Sequence, residues 1–313
     1  SIGGTNMTVW DNVGKMNNKG FEMEINYQKQ INQDFGFSVA YNFSVIKNKM
    51  TELNGVDYIG LSSSELHGRN FDQETSRSAV GQPIGSFFVY EADGLFQSDA
   101  EIQNYKNDRG ELLQPNANIR FKDLNGDGVI NSDDRDFKGN PLPDCSMGLT
   151  LGFNYKNFDV SAFFQGVFGN EVYNLTNYLG EFYNQAQYNK NSTILDAWRP
   201  DNTDTDIPRV TLDDPNNNIR PSTYYIHNAS FVRLKNLKVG YTLPDKVASK
   251  LKLKRTYIYL QGQNLFTITG YEGIDPEVGL QSYSSENRNL DMGVDRGVYP
   301  LPRTFTLGVN VSF

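Results

Sequence analysis

The sequence predicts an all-β fold: the wall of a transmembrane antiparallel β-barrel with long extracellular loops. Three observations carry that prediction. Stretches of membrane-spanning length alternate apolar and polar residues, so each would present one greasy face and one polar face. Short and long connections between those stretches alternate strictly along the chain. The 313 residues include 18 Tyr, 20 Phe and 28 Gly against 2 Trp, a mixture that favours sheet over helix.

The strands follow in order. Residues 21–27 set Phe21, Met23, Ile25 and Tyr27 against Glu22, Glu24 and Asn26. Residues 35–45 repeat the pattern, with Phe35, Phe37, Val39, Tyr41, Phe43 and Val45 against Gly36, Ser38, Ala40, Asn42 and Ser44. Further strands are expected at 147–156, 158–168, 229–242 and 256–266. In the 229–242 stretch the apolar phase slips between Leu234 and Leu237, as a bulge or a change of environment would produce. The last strand, 303–313, is the clearest: Phe305, Leu307, Val309, Val311 and Phe313 alternate with Thr306, Gly308, Asn310 and Ser312. Residues 1–20 read as the end of a long loop, because Trp10 to Asn18 is polar and carries no clean alternation.

The connections set the orientation. Gln30 to Asp34 and Lys156 to Asp159 are tight turns, and Leu243 to Arg255 is a moderate basic one. The long connections are 46–146, 169–228 and 267–302. A compact soluble domain rarely tolerates loops of that length, whereas outer-membrane barrels combine short periplasmic turns with long extracellular loops. If Phe313 ends on the periplasmic side, every long loop falls outside. A soluble β-sandwich would explain the strands but not this asymmetry. Seven strands are too few, and odd in number, for a single-chain bacterial barrel. The chain is therefore expected to be the C-terminal part of something larger.

Composition excludes several other classes. With 29 basic and 37 acidic side chains the net charge is -8, which disfavours nucleic acid or an anionic membrane surface as the main partner. The single cysteine, Cys145, allows no internal disulfide and no cysteine-based zinc site. His67 and His227 stand in no ligand spacing. No apolar run is long enough for a helical span. Ser1-Ile2-Gly3-Gly4 begins no targeting signal. No phosphate-cradling loop, nucleophile elbow or histidine metal motif is present, and adjacent carboxylates such as Asp133 and Asp134 would face opposite ways on a strand. No enzyme activity and no organic cofactor are expected.

Several motifs of the chain closely resemble the SusC/RagA family. They are Arg120-Phe-Lys-Asp-Leu-Asn-Gly-Asp-Gly-Val-Ile-Asn-Ser-Asp-Asp-Arg135, Gly139-Asn-Pro-Leu-Pro-Asp144, Ser230-Phe-Val-Arg-Leu-Lys-Asn-Leu-Lys-Val-Gly-Tyr-Thr-Leu-Pro244 and Gln261-Gly-Gln-Asn-Leu-Phe-Thr-Ile-Thr-Gly-Tyr-Glu-Gly-Ile-Asp-Pro276. Gly81-Gln-Pro-Ile-Gly-Ser-Phe-Phe88, Asp93-Gly-Leu-Phe96 and the ending Tyr299 to Phe313 fit the same pattern. The resemblance runs from about residue 13 to the last residue and implies a TonB-dependent transporter of the Bacteroidota outer membrane. It implies a 22-stranded barrel with an N-terminal plug, closed by a SusD-like surface lipoprotein, importing oligosaccharides or oligopeptides as TonB pulls on the plug. This chain shows no plug and no TonB box, so the remainder of the barrel and its coupling to TonB are expected from another portion. The terminal Phe313 resembles the signal read by the outer-membrane assembly machinery.

Three groups of residues carry candidate chemistry. In 123–134 oxygen donors fall at loop positions 1, 3, 5, 9 and 12 (Asp123, Asn125, Asp127, Asn131 and Asp134), Val129 offers a carbonyl at position 7, and Gly128 allows the turn at position 6. That is calcium-loop spacing, with Asp at position 12 as in dockerin modules, and it predicts a structural Ca²⁺ site. The competing reading is that Asp, Asn and Gly cluster in any turn. In the second long loop Tyr173, Tyr178, Phe182, Tyr183, Tyr188, Trp198, Tyr224 and Tyr225 could meet a ligand or a lid protein. Alternatively they pack the loop's own core, with a helix near 170–198; the packing alternative is preferred, since so long a loop must bury something to be ordered. Tyr257, Tyr259, Gln261 and Gln263 share one strand face opposite Ile258 and Leu260, and could line a lumen or join an interfacial aromatic girdle. The rival to an importer is a secreted, calcium-stabilised β-sandwich that binds glycans or a protein partner.

Overall fold

A computed structural model describes residues 14–61, 74–103, 105–107, 109–112, 118–182, 189–212, 214–279 and 292–313. Seven long strands form one sheet: β1 (Gly14–Gln30), β2 (Phe35–Leu53), β3 (Cys145–Tyr155), β4 (Phe158–Phe168), β5 (Phe231–Thr242), β6 (Arg255–Thr269) and β7 (Thr304–Ser312). Each pairs antiparallel with the next in sequence, and the sheet is open, with β1 and β7 at its edges.

Register sorts the side chains onto two faces. Val239, Leu260 and Leu307 form one cross-strand row, and Lys238, Gln261 and Thr306 form the adjacent one. Because neighbouring rows point to opposite faces, the sheet is apolar on one side and polar on the other. The apolar side is bare: Phe305 is 69% and Leu307 73% exposed. The sandwich rival requires a second sheet there, and among the described residues none is present.

Two strands run further than the alternation indicated. β1 begins at Gly14, so residues 14–20 are strand and not the end of a loop, and β2 continues past Val45 to Leu53, with Gly14 opposite Leu53. The apolar rhythm stops there because Lys15, Lys19, Lys47 and Lys49 take over the apolar phase, while the backbone ladder continues. At the expected slip, the β5–β6 register shifts between Leu234 and Asn236, and β4 shifts against β5 between Phe163 and Phe164. Asn264 on β6 takes a left-handed φ of 52° at the same level.

The tight turns have local causes. Asn32 Oδ1 accepts the backbone N–H groups of Asp34 and Phe35 at 2.9 and 2.8 Å, closing the β1–β2 turn. Lys156 adopts φ 53° in the β3–β4 hairpin. A short helix, Asp245–Lys250, fills the β5–β6 connection.

The three long connections share a core. The first contributes Phe87, Val89 and Phe121, the second Tyr173, Leu175, Trp198 and Tyr225, and the third Val294. Small sheets support this packing: Ser86–Tyr90 pairs with Arg135–Phe137 inside the first connection, and Glu171–Asn174, between Ile226–Asn228 and Val294–Asp295, joins the second to the third. Burying each large apolar side chain is worth roughly 1.5–3 kcal/mol, which is how irregular backbone of this length holds one shape.

Candidate functional site

The polar face of the wall brings three predicted residues together. Tyr257 and Tyr259 stack with ring centroids 5.7 Å apart, and Gln261 follows on the same phase of β6. The Tyr257 hydroxyl donates to Asp159 Oδ2 at 2.9 Å, with Lys238 Nζ 3.9 Å from that oxygen. Glycines make room for the rings: a Cβ on Gly240 would lie 2.1 Å from the Tyr257 hydroxyl oxygen, and one on Gly308 would lie 2.2 Å from the Tyr259 ring. The result is a flat, hydrogen-bonding aromatic surface beside a charged pair.

Above the wall, the aromatic residues of the second loop divide. Tyr173 and Tyr225 are wholly buried, Tyr178, Phe182 and Trp198 nearly so, and they pack against one another and the first loop. That is the internal-packing alternative. Tyr183 and Tyr188 lie outside the described residues. Tyr224 differs, because it lines an open cleft of about 710 Å³ with Asn177, Glu181, Asp206, His227 and Glu272.

The helix Leu175–Glu181 places Glu181 in this cleft, and the Asn174 side chain caps the helix by accepting from Thr176 N at 3.0 Å. Tyr224 donates to Glu181 Oε2 at 2.6 Å. Burial raises the Glu181 carboxyl above its usual range, and burial together with that carboxylate raises the Tyr224 hydroxyl. Burial lowers the His227 imidazole, so it favours the neutral form. Among the described residues the lining is rich in acceptors and supplies no Lys or Arg, a chemistry that suits hydroxyl or ammonium donors and disfavours anions.

The 123–134 loop is tightly curled. Asp123 accepts from Gly126 N and Gly128 N at 2.6 and 2.7 Å, Asn125 Oδ1 from Asp127 N at 2.9 Å, and Asp127 Oδ1 from Val129 N at 2.8 Å. The Gly128 N–H, chiefly, holds the Asp123 carboxyl below its usual range. Asn131 caps a single helical turn, Ser132–Asp134, in a reciprocal capping box. Asp134 is fully buried, and its oxygens accept from Leu124 N and Asn131 N at 2.9 and 2.8 Å. Among the described residues no Lys or Arg pairs with Asp123, Asp127 or Asp134, and no three acidic, His or Cys side chains converge as a metal cluster.

No family model matches the chain. Individual proteins do. The TonB-dependent receptor P3 of Formosa agariphila is 38% identical over 308 residues, covering 96% of this chain and 29% of that protein. The TonB-dependent receptor SusC of Bacteroides thetaiotaomicron is 30% identical over 318 residues, covering 98% of this chain and 27% of SusC. The solved RagAB peptide transporter superposes with a TM-score of 0.73 at 24% identity, over 96% of this chain and 29% of that one. The chain is thus homologous over most of its length to TonB-dependent receptors, SusC among them, and shares the fold of the RagAB transporter chain. It spans less than a third of the length of the relatives named, and its open sheet is a segment of a TonB-dependent transporter barrel.

In this barrel segment the sequence gives no direct sign of one polar cluster. Arg233, buried on β5, donates to Asp275 Oδ1 at 2.6 Å, Glu277 Oε2 at 2.9 Å and Thr267 Oγ1 at 2.7 Å. Lys235 adds a bond to Glu277 at 2.6 Å, and Asp275 Oδ2 accepts Leu301 N at 3.2 Å. The available signal was an arginine inside an otherwise apolar stretch, beside the phase slip. Its partners lie in the third loop, and nothing in their spacing points back to it.

Proposed function

We propose that this chain is the C-terminal wall and loop region of an outer-membrane, TonB-dependent nutrient importer. The observation that carries the reading is the two-faced sheet, with short turns at one end and the packed loops at the other, in a chain homologous to TonB-dependent receptors. The apolar rows through Val239, Leu260 and Leu307 would meet lipid. The rows through Lys238, Tyr259 and Gln261 would face the lumen. An open sheet edge is untenable in hydrocarbon, so the remaining strands of the barrel must complete β1 and β7.

In this reading the chain itself has no catalytic role. Energy would come from TonB acting on a plug supplied by the rest of the protein, and a SusD-like lipoprotein would close over the loops. The cargo would be an oligosaccharide or oligopeptide. RagAB is a peptide importer, and the acceptor-rich cleft at Glu181, Tyr224 and Glu272 fits both classes through their hydroxyl or ammonium groups. Loops fixed by a common core would present that cleft, with Tyr257, Tyr259 and Gln261 lining the path below it. Phe313 would serve as the assembly signal.

The 123–134 loop we assign to a structural Ca²⁺. Its support is a set of oxygen donors in calcium-loop order and a buried Asp134 carboxylate that, among the described residues, has no Lys or Arg ion pair, a charge that favours a counter-ion. Asp123, Asn125, Asp127, Asn131 and Asp134 would hold the ion with the Val129 carbonyl, stiffening the first loop.

Fractionation of cells carrying the full-length protein tests the membrane reading. The protein should pellet with outer membranes, resist salt and alkaline extraction, and dissolve in detergent. Recovery as a folded soluble protein would overturn it.

A further inference from the structure

The outward face of β1 and β2 changes character abruptly at its loop end. From Phe21 to Tyr27 and from Phe35 to Val45 every outward residue is apolar. The next outward positions are Lys19 on β1 and Lys47 and Lys49 on β2. Lys19 stands directly opposite Lys47, and Asn17 opposite Lys49. A row neighbour in a sheet lies about 5 Å away, and like charges so placed repel.

The direction of these side chains follows from the opposite phase. Asn18 and Asn48 bond each other at 2.6 Å, and Asn48 Oδ1 accepts Ile84 N at 2.8 Å, so the first loop covers the inner face at this height. Met50, also on the inner phase, is buried there. Lys19, Lys47 and Lys49 therefore point away from the loops, in line with Phe21 and Val45, and all three are exposed. Among the described residues none of them has an acidic partner; Glu52, opposite Lys15 on β2, pairs with Lys15 at 2.5 Å. The net charge of -8 describes the chain as a whole, while this patch is locally cationic.

From this geometry we infer that Lys19, Lys47 and Lys49 bind the phosphate groups of the outer-leaflet glycolipid, pinning its headgroup at the rim of the apolar belt. The inference rests on the membrane reading above, since it needs the belt in lipid and the loops outside. Two observations select this occupant. The patch is continuous with the apolar belt, so its ligand must have acyl chains lying along Phe21 and Val45. Among the described residues its positive charge has no acidic partner, so the headgroup it suits is anionic. Strand geometry then places these lysines two to four rows, or about 7–14 Å along the strand, above the last apolar residue. Lysines at that level are worth roughly fivefold in affinity each for an anionic lipid surface.

The test uses the full-length transporter in detergent with two probes, lipid A bearing its phosphate and the same lipid A dephosphorylated. Native mass spectrometry or fluorescence titration reads binding. The wild type should prefer the phosphorylated form by about a hundredfold, and millimolar inorganic phosphate should not compete. Lys19→Gln/Lys47→Gln/Lys49→Gln should abolish the preference, and the corresponding triple Arg variant should keep it. Equal binding of the two lipids by the wild type, an unchanged preference in the Gln variant, or full displacement by inorganic phosphate would each overturn the inference. Outer-membrane fractionation of the same preparations separates the two readings: a variant that remains detergent-extractable but keeps its lipid defeats the patch alone, whereas a soluble wild type defeats the membrane reading.

Discussion

The guanidinium of Arg233 and the carboxylate of Asp275 meet at 2.6 Å with both side chains buried. This contact fastens the third long connection to the loop end of β5, directly beside the bulge. Removing one partner of a buried pair leaves the other charge uncompensated, at a cost of about 3–5 kcal/mol. Arg233→Ala should therefore release residues 270–279 and 292–302 from the wall, seen as faster amide exchange and protease cleavage there, with the barrel intact. Unchanged protection would show that the pair is not what holds the loop.

Acid should loosen the same latch. Burial pushes the Asp275 carboxyl up, but the Glu277 N–H, Arg233 and the Leu301 N–H outweigh it and leave the group below its usual range. A carboxyl lowered in the folded state contributes stability that is present above the unfolded value and lost as pH falls through the folded one. Protection factors of the amides in 270–279 and 292–302, corrected for the intrinsic pH dependence of exchange, should fall below about pH 4 in the wild type and lose that fall in Asp275→Asn.

Glu181 should give the opposite slope. Its carboxyl is raised by burial, so the folded loop holds that proton more firmly than the unfolded chain. Loop stability then falls as pH rises from the usual carboxylate range through the raised value. Glu181→Gln should remove that fall and stabilise the second loop at neutral pH. A steeper fall in the variant would contradict the assignment.

Tyr173 and Tyr225 act as core and not as ligand surface. Tyr225→Ala should destabilise the loop assembly by about 3–5 kcal/mol, the scale for losing a large buried ring. Tyr224→Phe removes only a hydroxyl from the cleft, and should leave loop protection intact while altering cargo affinity. Equal effects of the two on loop protection would erase this distinction.

Calcium should protect the first loop. At a hundredfold excess over its dissociation constant a ligand stabilises its site by about 2.7 kcal/mol. Calorimetry should show Ca²⁺ binding that is lost in Asp123→Asn/Asp127→Asn, with slower proteolysis of 120–138 when the ion is present. No heat, and no protection, would leave 123–134 as an Asx-rich turn.

What is legible in the sequence is the apolar face that the membrane reading places in lipid. Phe305, Leu307, Val309 and Val311 declare the phase of β7 because hydrocarbon admits only apolar side chains on that face. Where the same strands rise above it, at Lys15 to Lys19 and Lys47 to Lys49, hydrogen bonding continues but the constraint on side chains ends. The apolar alternation of β1 therefore begins seven rows after its backbone ladder does. The Leu234–Leu237 slip was readable for the same reason. The loop core was only half legible: the aromatic residues announced that something must be buried, but pairing Tyr173 with Tyr225, or Arg233 with Asp275, depends on contacts between segments far apart in the chain.

The central claim is that the two faces of this sheet meet two different solvents. Cysteine-directed spin labels at Val239, Leu260 and Leu307, and at Lys238, Gln261 and Thr306, in the full-length protein reconstituted in bilayers, measure it directly. Collisions with lipid-soluble oxygen should dominate at the first three positions, and collisions with a water-soluble nickel chelate at the second three. Equal accessibility of both sets to the chelate, or oxygen preference at Lys238, Gln261 and Thr306, would contradict the account.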